Sequence, residues 1–302
     1  MDLKRNRLGR SELFVGEIGL GCMSLGTEEK KAVALIHEAL ERGVNLLDTA
    51  DLYDGGRNEE LVGKAIRGRR EQVVLATKVG NRRIPGRDGW VWDPSKAYIL
   101  AAVKDSLRRL GTDYIDLYQL HGGTIDDPID ETIEAFEQLK REGVIREYGI
   151  SSIRPNVIRE YAARSSIVSV MSPYSIVDRR GEEEVYPLLR DREIGVIARG
   201  PLAGGALAAG REPARGVPDY GLEELIALRG QLARLETPGR SLTQLALRFS
   251  LSHPAVAVAI PGASSREQLL QNLAAAETPP LTEEELRTIR SLSKANRYVQ
   301  HR

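Results

Sequence analysis

Four side chains in this sequence could pass a proton among themselves. Asp48 ends an apolar run, and Tyr53 follows five residues later, just before two glycines, in NLLDTADLYDGG (45–56). Lys78 closes VVLATK, and His121 closes YIDLYQLH. A free phenol has a pKa of about 10, too high for easy proton exchange near neutrality. A nearby ammonium stabilises phenolate and lowers that value by roughly one to three units. Asp48 would hold Lys78 charged and in place, and His121 would donate a hydrogen bond to a substrate oxygen. Such a set protonates an alkoxide as it forms and deprotonates an alcohol in reverse. It contains no obvious nucleophile. Each residue alone has a plainer explanation: a turn cap, a solvated lysine, a structural histidine. Their shared position, each at or just beyond the end of a β-like run, is what argues for chemistry.

Those runs are part of a longer alternation. Candidate strands lie at 17–21, 44–50, 73–78, 114–121, 146–151, 168–171, 195–199 and 256–260. Helical patterns fill the intervals at 28–42, 58–68, 95–110, 129–141, 155–164, 182–191, 222–236 with 241–251, and 264–275. Several helix starts carry caps. Thr27 precedes two glutamates, Asp93-Pro94 suits an Ncap–N1 pair, and Ser265 with Gln268 fits a capping box. Gly43, Gly111 and Gly143 sit where helices would end. Eight strand–helix units predict an α/β fold, a (β/α)8 TIM barrel, with a short N-terminal hairpin from LGRSELFVG and an extra C-terminal helix near 281–294. A doubly wound open sheet is the alternative that pattern leaves open. No linker or composition break appears, so one domain over 1–302 is expected. In a barrel, strand ends gather at one mouth, which would bring the four side chains together.

Composition narrows the function class. The 302 residues are 41% hydrophobic and 28% charged, with 43 basic against 43 acidic side chains. That balance does not favour capture of nucleic acid or an anionic membrane. A single cysteine, Cys22, excludes an intramolecular disulfide and fits a reducing compartment. The N-terminus lacks the apolar stretch of a signal peptide, and no segment reaches about 18 apolar residues, so a cytoplasmic protein is expected.

LDTADLY (47–53), LATKVG (75–80), DYIDLYQLH (113–121), GVIREYGIS (143–151) and IPGASSREQLLQN (260–272) together resemble the aldo-keto reductases over about residues 7–280. The resemblance implies an NADPH-dependent carbonyl reductase on a (β/α)8 barrel, with no metal. It implies Tyr53 as general acid, Lys78 and Asp48 as its tuning pair, and His121 as the group that orients the carbonyl. The residues read alone and the resemblance thus agree on the same four.

The cofactor end is less regular. GLGCMS (19–24) has Ser24 where a dinucleotide fingerprint needs a third glycine, and no Walker motif occurs. PGASSREQ (261–268) would follow strand eight and open a helix, where exposed N–H groups attract phosphate and Arg266 adds a planar cation. The plainer account is that Ser264 and Ser265 cap that helix. By resemblance, Gly262, Ser264, Arg266, Gln268 and Asn272 would surround the adenosine 2′-phosphate or adenine, favouring NADPH over NADH. Gly21 and Met23 match positions beside the cofactor, and Gly200, Leu202 and Gly204 lie in a loop resembling those that close over the pyrophosphate. The nicotinamide end departs from the family pattern: Ser151-Ser152 replaces Ser-Asn, Met171 replaces a glutamine, and Arg199 replaces an aromatic. Arg199 is expected to contact cofactor and to pair with an acid or phosphate.

On the substrate side, Trp90 and Trp92 both lie in the long loop 81–93, and at least one is expected to line the pocket. Arg82, Arg83 and Arg87 in that loop either attract an anionic substrate or are simply solvated. The segment 211–221 is a second candidate rim. Two other functions remain to be weighed against a reductase: an NADPH-binding sensor or regulatory subunit that does not turn over, and a lyase or isomerase using Lys78 as a Schiff base.

Overall fold

The computed structural model describes residues 3–84, 86 and 89–302. In chain order the strands are β1 (Arg5–Arg7), β2 (Phe14–Gly16), β3 (Leu20–Gly21), β4 (Leu46–Asp48), β5 (Val74–Val79), β6 (Asn81–Arg83), β7 (Trp90–Trp92), β8 (Ile115–Leu120), β9 (Ile145–Ser151), β10 (Ser169–Pro173), β11 (Gly195–Arg199) and β12 (Val256–Ile260). The α-helices are α1 (Glu29–Glu41), α2 (Arg57–Ile66), α3 (Lys96–Leu110), α4 (Ile129–Arg141), α5 (Pro155–Arg164), α6 (Val185–Asp191), α7 (Leu222–Leu232), α8 (Leu242–Leu251), α9 (Arg266–Leu273) and α10 (Glu283–Leu292).

Eight of the strands form one parallel sheet in the order β12-β11-β10-β9-β8-β5-β4-β3. Its two ends meet through parallel bridges between Ile18 and Ala259 and between Gly21 and Gly262. Gly19 N donates to Ala259 O at 2.9 Å, and Ala259 N donates to Glu17 O at 2.9 Å. The sheet is therefore a barrel. The first barrel strand is shorter than the apolar run 17–21, because around Ile18 it pairs by single bridges rather than a continuous ladder.

The hairpin β1–β2 is antiparallel and plugs one end of the barrel. Leu8, Leu13 and Val15 pack with interior residues such as Leu46, Leu117 and Val258. Each such buried leucine contributes roughly 1.5–3 kcal/mol relative to exposure. The plug passes very close to the sheet at Gly9, which has φ +57, and a Cβ there would lie 2.2 Å from Val168 O. The opposite end, where the strands finish, is left open. The outer helices seal a second core against the sheet, including Ile36, Leu61, Val103, Phe136 and Leu245.

Two helix starts differ from expectation. Glu28, not Thr27, precedes α1, and it makes no side-chain cap. At α3, Ser95 is the cap and accepts from Tyr98 N, while Asp93 Oδ1 takes the Ser95 hydroxyl at 2.6 Å and so locks the turn before it. The box at α9 is split: Ser265 accepts from Gln268 N, but Gln268 Oε1 takes the N–H and hydroxyl of Ser264. Gly111 caps α3 in the left-handed region as the sequence predicts, with φ +63. Among the described residues no helix is long and apolar enough to cross a membrane.

Candidate active site

Asp48, Tyr53, Lys78 and His121 meet at the open end of the barrel. Asp48 is the last residue of β4, Lys78 lies near the end of β5, and His121 follows β8. Tyr53 reaches the same place because the chain reverses just beyond it. Asp54, Gly55 and Gly56 all have positive φ, at 48°, 68° and 92°. A Cβ on Gly56 would sit 2.8 Å from Arg109 Cδ, so glycine is needed there for conformation and for space. The turn delivers the chain straight into α2, whose Asn58 joins two neighbouring loops. Its amide donates to Cys22 O at 2.9 Å, and its Oδ1 accepts from the Thr49 hydroxyl at 2.7 Å.

Lys78 is completely buried and uses all three of its N–H bonds. They go to Asp48 Oδ2 at 2.7 Å, to Thr49 O at 2.7 Å and to the Tyr53 hydroxyl at 3.2 Å. Gln119, from the middle of β8, reaches Asp48 Oδ1 at 3.5 Å. Burial works against the Lys78 ammonium, but the charge of Asp48 and the phenol outweigh it and raise its pKa. Burial likewise raises the Asp48 carboxyl, and Lys78 pulls it back toward the anion. The pair is therefore a fixed ionic prop under Tyr53.

The phenol itself departs from expectation. Burial raises its pKa above the ordinary value, with Lys78 pulling it down less strongly. The attraction of the ammonium has the anticipated sign, but desolvation is the larger effect. Tyr53 is thus held protonated near neutrality, which is the form that donates.

The His121 ring stands edge-on to Tyr53, with centroids 6.0 Å apart. Burial, then Lys78 and Arg199, lower its pKa to about 3, so the imidazole is neutral. Its Nδ1 is buried with no hydrogen-bond partner among the described residues. A buried orphan N–H is rarer than an orphan lone pair, which assigns the proton to Nε2. That tautomer is a neutral donor.

Asp51, two residues before Tyr53, is a buried acid of a different kind. Its pKa is raised to about 7 by burial and by the nearby Glu59 charge. The unfolded carboxyl ionises near pH 4, before the folded one. The folded state therefore holds the extra proton between about pH 4 and pH 7, and stability falls as pH rises through that window. Asp51→Asn is expected to raise stability at about pH 8 by ~1–3 kcal/mol and flatten that dependence. Urea unfolding at about pH 5, low in the window, and at about pH 8, above it, measures both. An unchanged pH slope would remove Asp51 as its source.

The four residues line a cavity of about 1030 Å³. Its wall also contains Gly21, Met23, Ser151, Ser152 and Met171 along one side. Arg199 at the end of β11 and Gly200, Leu202 and Gly204 beyond it contribute, as do Gly262 and Ser264 before α9 and Gln268 and Asn272 within α9. Gly262 lies close to the turn after β3: a Cβ on it would lie 2.5 Å from Ser24 Oγ. Asn272 Nδ2 donates to Gly262 O at 3.1 Å, and Ser152 N donates to Met171 O at 3.0 Å.

Several expected residues lie elsewhere. Arg266 is outside the cavity wall, 64% exposed, and pairs with Glu38 at 3.1 Å. Neither tryptophan lines the cavity: Trp90 is exposed on β7, and Trp92 packs over Gly80 and Gly122 while its Nε1 donates to Asp127. The segment that carries them contains the antiparallel pair β6–β7. Arg82 pairs with Asp93, Arg83 donates to Gly55 O, and Arg87 lies outside the described residues. Arg199 has no carboxylate within 4.0 Å among the described residues, so the expected acid partner is absent. The sequence reading missed Gln119, Arg154 and Arg211. A glutamine inside an apolar strand was a signal for the first; nothing marked the second, and the third stood at the edge of a segment noted only as a rim.

Comparison with known proteins agrees with this architecture. The model of the "Aldo/keto reductase family" matches residues 17–294. The chain is 55% identical, over 99% of its length and 100% of the relative's, to the "Uncharacterized oxidoreductase YqkF" of Bacillus subtilis. It is 58% identical, with a TM-score of 0.95 and 99% of each chain covered, to the holo form of aldo-keto reductase AKR11C1 from Bacillus halodurans. It also resembles an aldo/keto reductase from Klebsiella pneumoniae solved in complex with NADP and acetate, at 30% identity and a TM-score of 0.77, covering 98% of each chain. On the matched length and these identities, the chain belongs to the aldo/keto reductase family of oxidoreductases.

Proposed function

We propose that the protein is an NADPH-dependent reductase of aldehydes or ketones in which Tyr53 is the general acid. The observation that carries this reading is the Lys78 ammonium, 2.7 Å from Asp48 and 3.2 Å from the Tyr53 hydroxyl in the wall of the cavity. A reduced nicotinamide bound beside it would supply the hydride. The protein supplies everything else. His121 Nε2–H polarises the carbonyl oxygen, Tyr53 gives its proton to that oxygen as negative charge develops, and Lys78 steadies the phenolate left behind.

The cavity suits such a cofactor. Gly21, Met23, Ser151, Ser152, Met171 and Arg199 would hold the nicotinamide end. Gly200, Leu202 and Gly204 would cover the pyrophosphate. Gly262, Ser264, Arg266, Gln268 and Asn272 would take the adenosine end, where the first turn of α9 leaves N–H groups without intrahelical partners. Arg199 and Arg211 line the wall with no carboxylate partner among the described residues, as phosphate-binding cations would. The relative solved with NADP and acetate supports the same choice of ligand.

The Schiff-base reading is disfavoured, because an imine-forming lysine needs a neutral amine and Lys78 is held charged. An assembled proton relay also argues against a sensor that never turns over. Purified protein should oxidise NADPH when given a nitrobenzaldehyde; no turnover with any reactive aldehyde would sink the reductase reading. Arg266 must exchange Glu38 for the 2′-phosphate. Arg266→Ala is therefore expected to weaken NADPH binding by about tenfold or more and NADH by much less. Equal losses in a fluorescence titration would refute that contact.

A further inference from the structure

We infer that Arg154 is the anchor for an anionic group on the carbonyl substrate, so that the favoured substrates are aldehydes or ketones bearing a carboxylate on an apolar body. This rests on the reductase reading and names the substrate class of the same site. Arg154 lies in the loop between β9 and α5 and lines the cavity together with His121 and Gly122. Its backbone is fixed by Ser152 Oγ, which accepts from Arg154 N at 3.1 Å. Its guanidinium is half-buried and tethered, with Nη1 donating to Gly123 O in the loop that follows His121.

The rest of the guanidinium is uncommitted. No carboxylate lies within 4.0 Å of it among the described residues, although twenty other arginines have one. Asp127, beside Gly123, is already taken by Thr124 N at 2.6 Å, Thr124 Oγ1 at 2.8 Å and Trp92 Nε1 at 3.0 Å. A planar cation of five donors with one donor spent is suited to bidentate capture of a carboxylate. Arg199, Arg211 and the start of α9 face the cofactor segments. Among the described residues, Arg154 alone of the cavity arginines is tied to the loop that follows His121. The cavity wall also carries apolar side chains: the 43%-exposed Ile153 beside Arg154 in the chain, Leu52 beside Tyr53, and Met23. A substrate spanning from Tyr53 to Arg154 would lay its hydrocarbon body there.

The test compares the ortho, meta and para carboxybenzaldehydes with their methyl esters, which sample three separations between carbonyl and charge. For at least one isomer, the carboxylate should exceed its ester in kcat/KM by about ten- to a hundredfold, chiefly through KM. Arg154→Gln, which keeps a donor for Gly123 O, should remove that advantage, and Arg154→Lys should restore part of it. An advantage for no isomer, or one that survives Arg154→Gln, overturns the anchor. A binding readout separates this from the reductase reading. Calorimetry with NADP+ present should show a phthalate isomer binding at least about tenfold tighter than benzoate in the natural protein, and equally in Arg154→Gln. Carboxylate-dependent binding without turnover of any aldehyde leaves the anchor standing and sinks the reductase; turnover without charge preference does the reverse.

Discussion

Tyr53→Phe is expected to lower kcat by about 10²–10⁴ while leaving NADPH affinity nearly unchanged. The substitution removes one oxygen and leaves the ring that stands edge-on to His121. Lys78 keeps its bonds to Asp48 and Thr49, so the prop beneath the site survives. What disappears is the only hydroxyl that Lys78 contacts among the described residues. Hydride arrival at the carbonyl carbon would then leave an alkoxide with no adjacent acid. Steady-state kinetics with a nitrobenzaldehyde, beside a cofactor titration, reads both quantities. Unchanged kcat would remove Tyr53 from the mechanism.

Lys78→Met is expected to be as damaging to turnover, and to be costly to folding as well. Asp48 is 3% exposed and would be left as a buried carboxylate without its cation. Breaking a buried pair from one side costs about 3–5 kcal/mol. The phenol would also lose the cation that pulls its pKa down, so burial would act on it unopposed. The double variant Asp48→Asn, Lys78→Met separates the two effects. Its stability should recover most of the loss, because no lone charge remains, while kcat should stay about 10²-fold or more below the natural protein. Recovery of both would show that Lys78 only supports the fold.

The strands and the four central residues were legible in the sequence for a physical reason. Buried parallel strands read as short apolar runs, and a barrel sends all its strand ends to one side, so a polar residue closing such a run must face the mouth. Asp48 and Lys78 obey that rule, and His121 lies one residue beyond β8. What the sequence hides is burial and competition. The raised phenol at Tyr53 depends on how deeply the ring is covered, which no spacing encodes. The same holds for Trp92: an indole in a catalytic-face loop looks like a pocket wall, but Asp127 claims its N–H and the pair of glycines at 80 and 122 gives its ring a seat. Arg154 was invisible for the opposite reason, since its interest lies in what it does not contact. The loop 81–93 concealed the strands β6 and β7, whose three-residue lengths are too short to show an alternation.

The measurement that bears most directly on the proton donor is the pH dependence of a single turnover. The rate at which bound NADPH is oxidised by a nitrobenzaldehyde would be followed by pH jump from about pH 6 to about pH 11. With the phenol raised and His121 neutral down to about pH 3, the rate should stay level through neutrality and fall only above about pH 10. That fall should vanish in Tyr53→Phe. A drop centred near pH 6–7, about the range of an ordinary histidine, or a high-pH limb that persists in the variant, would contradict Tyr53 as the acid.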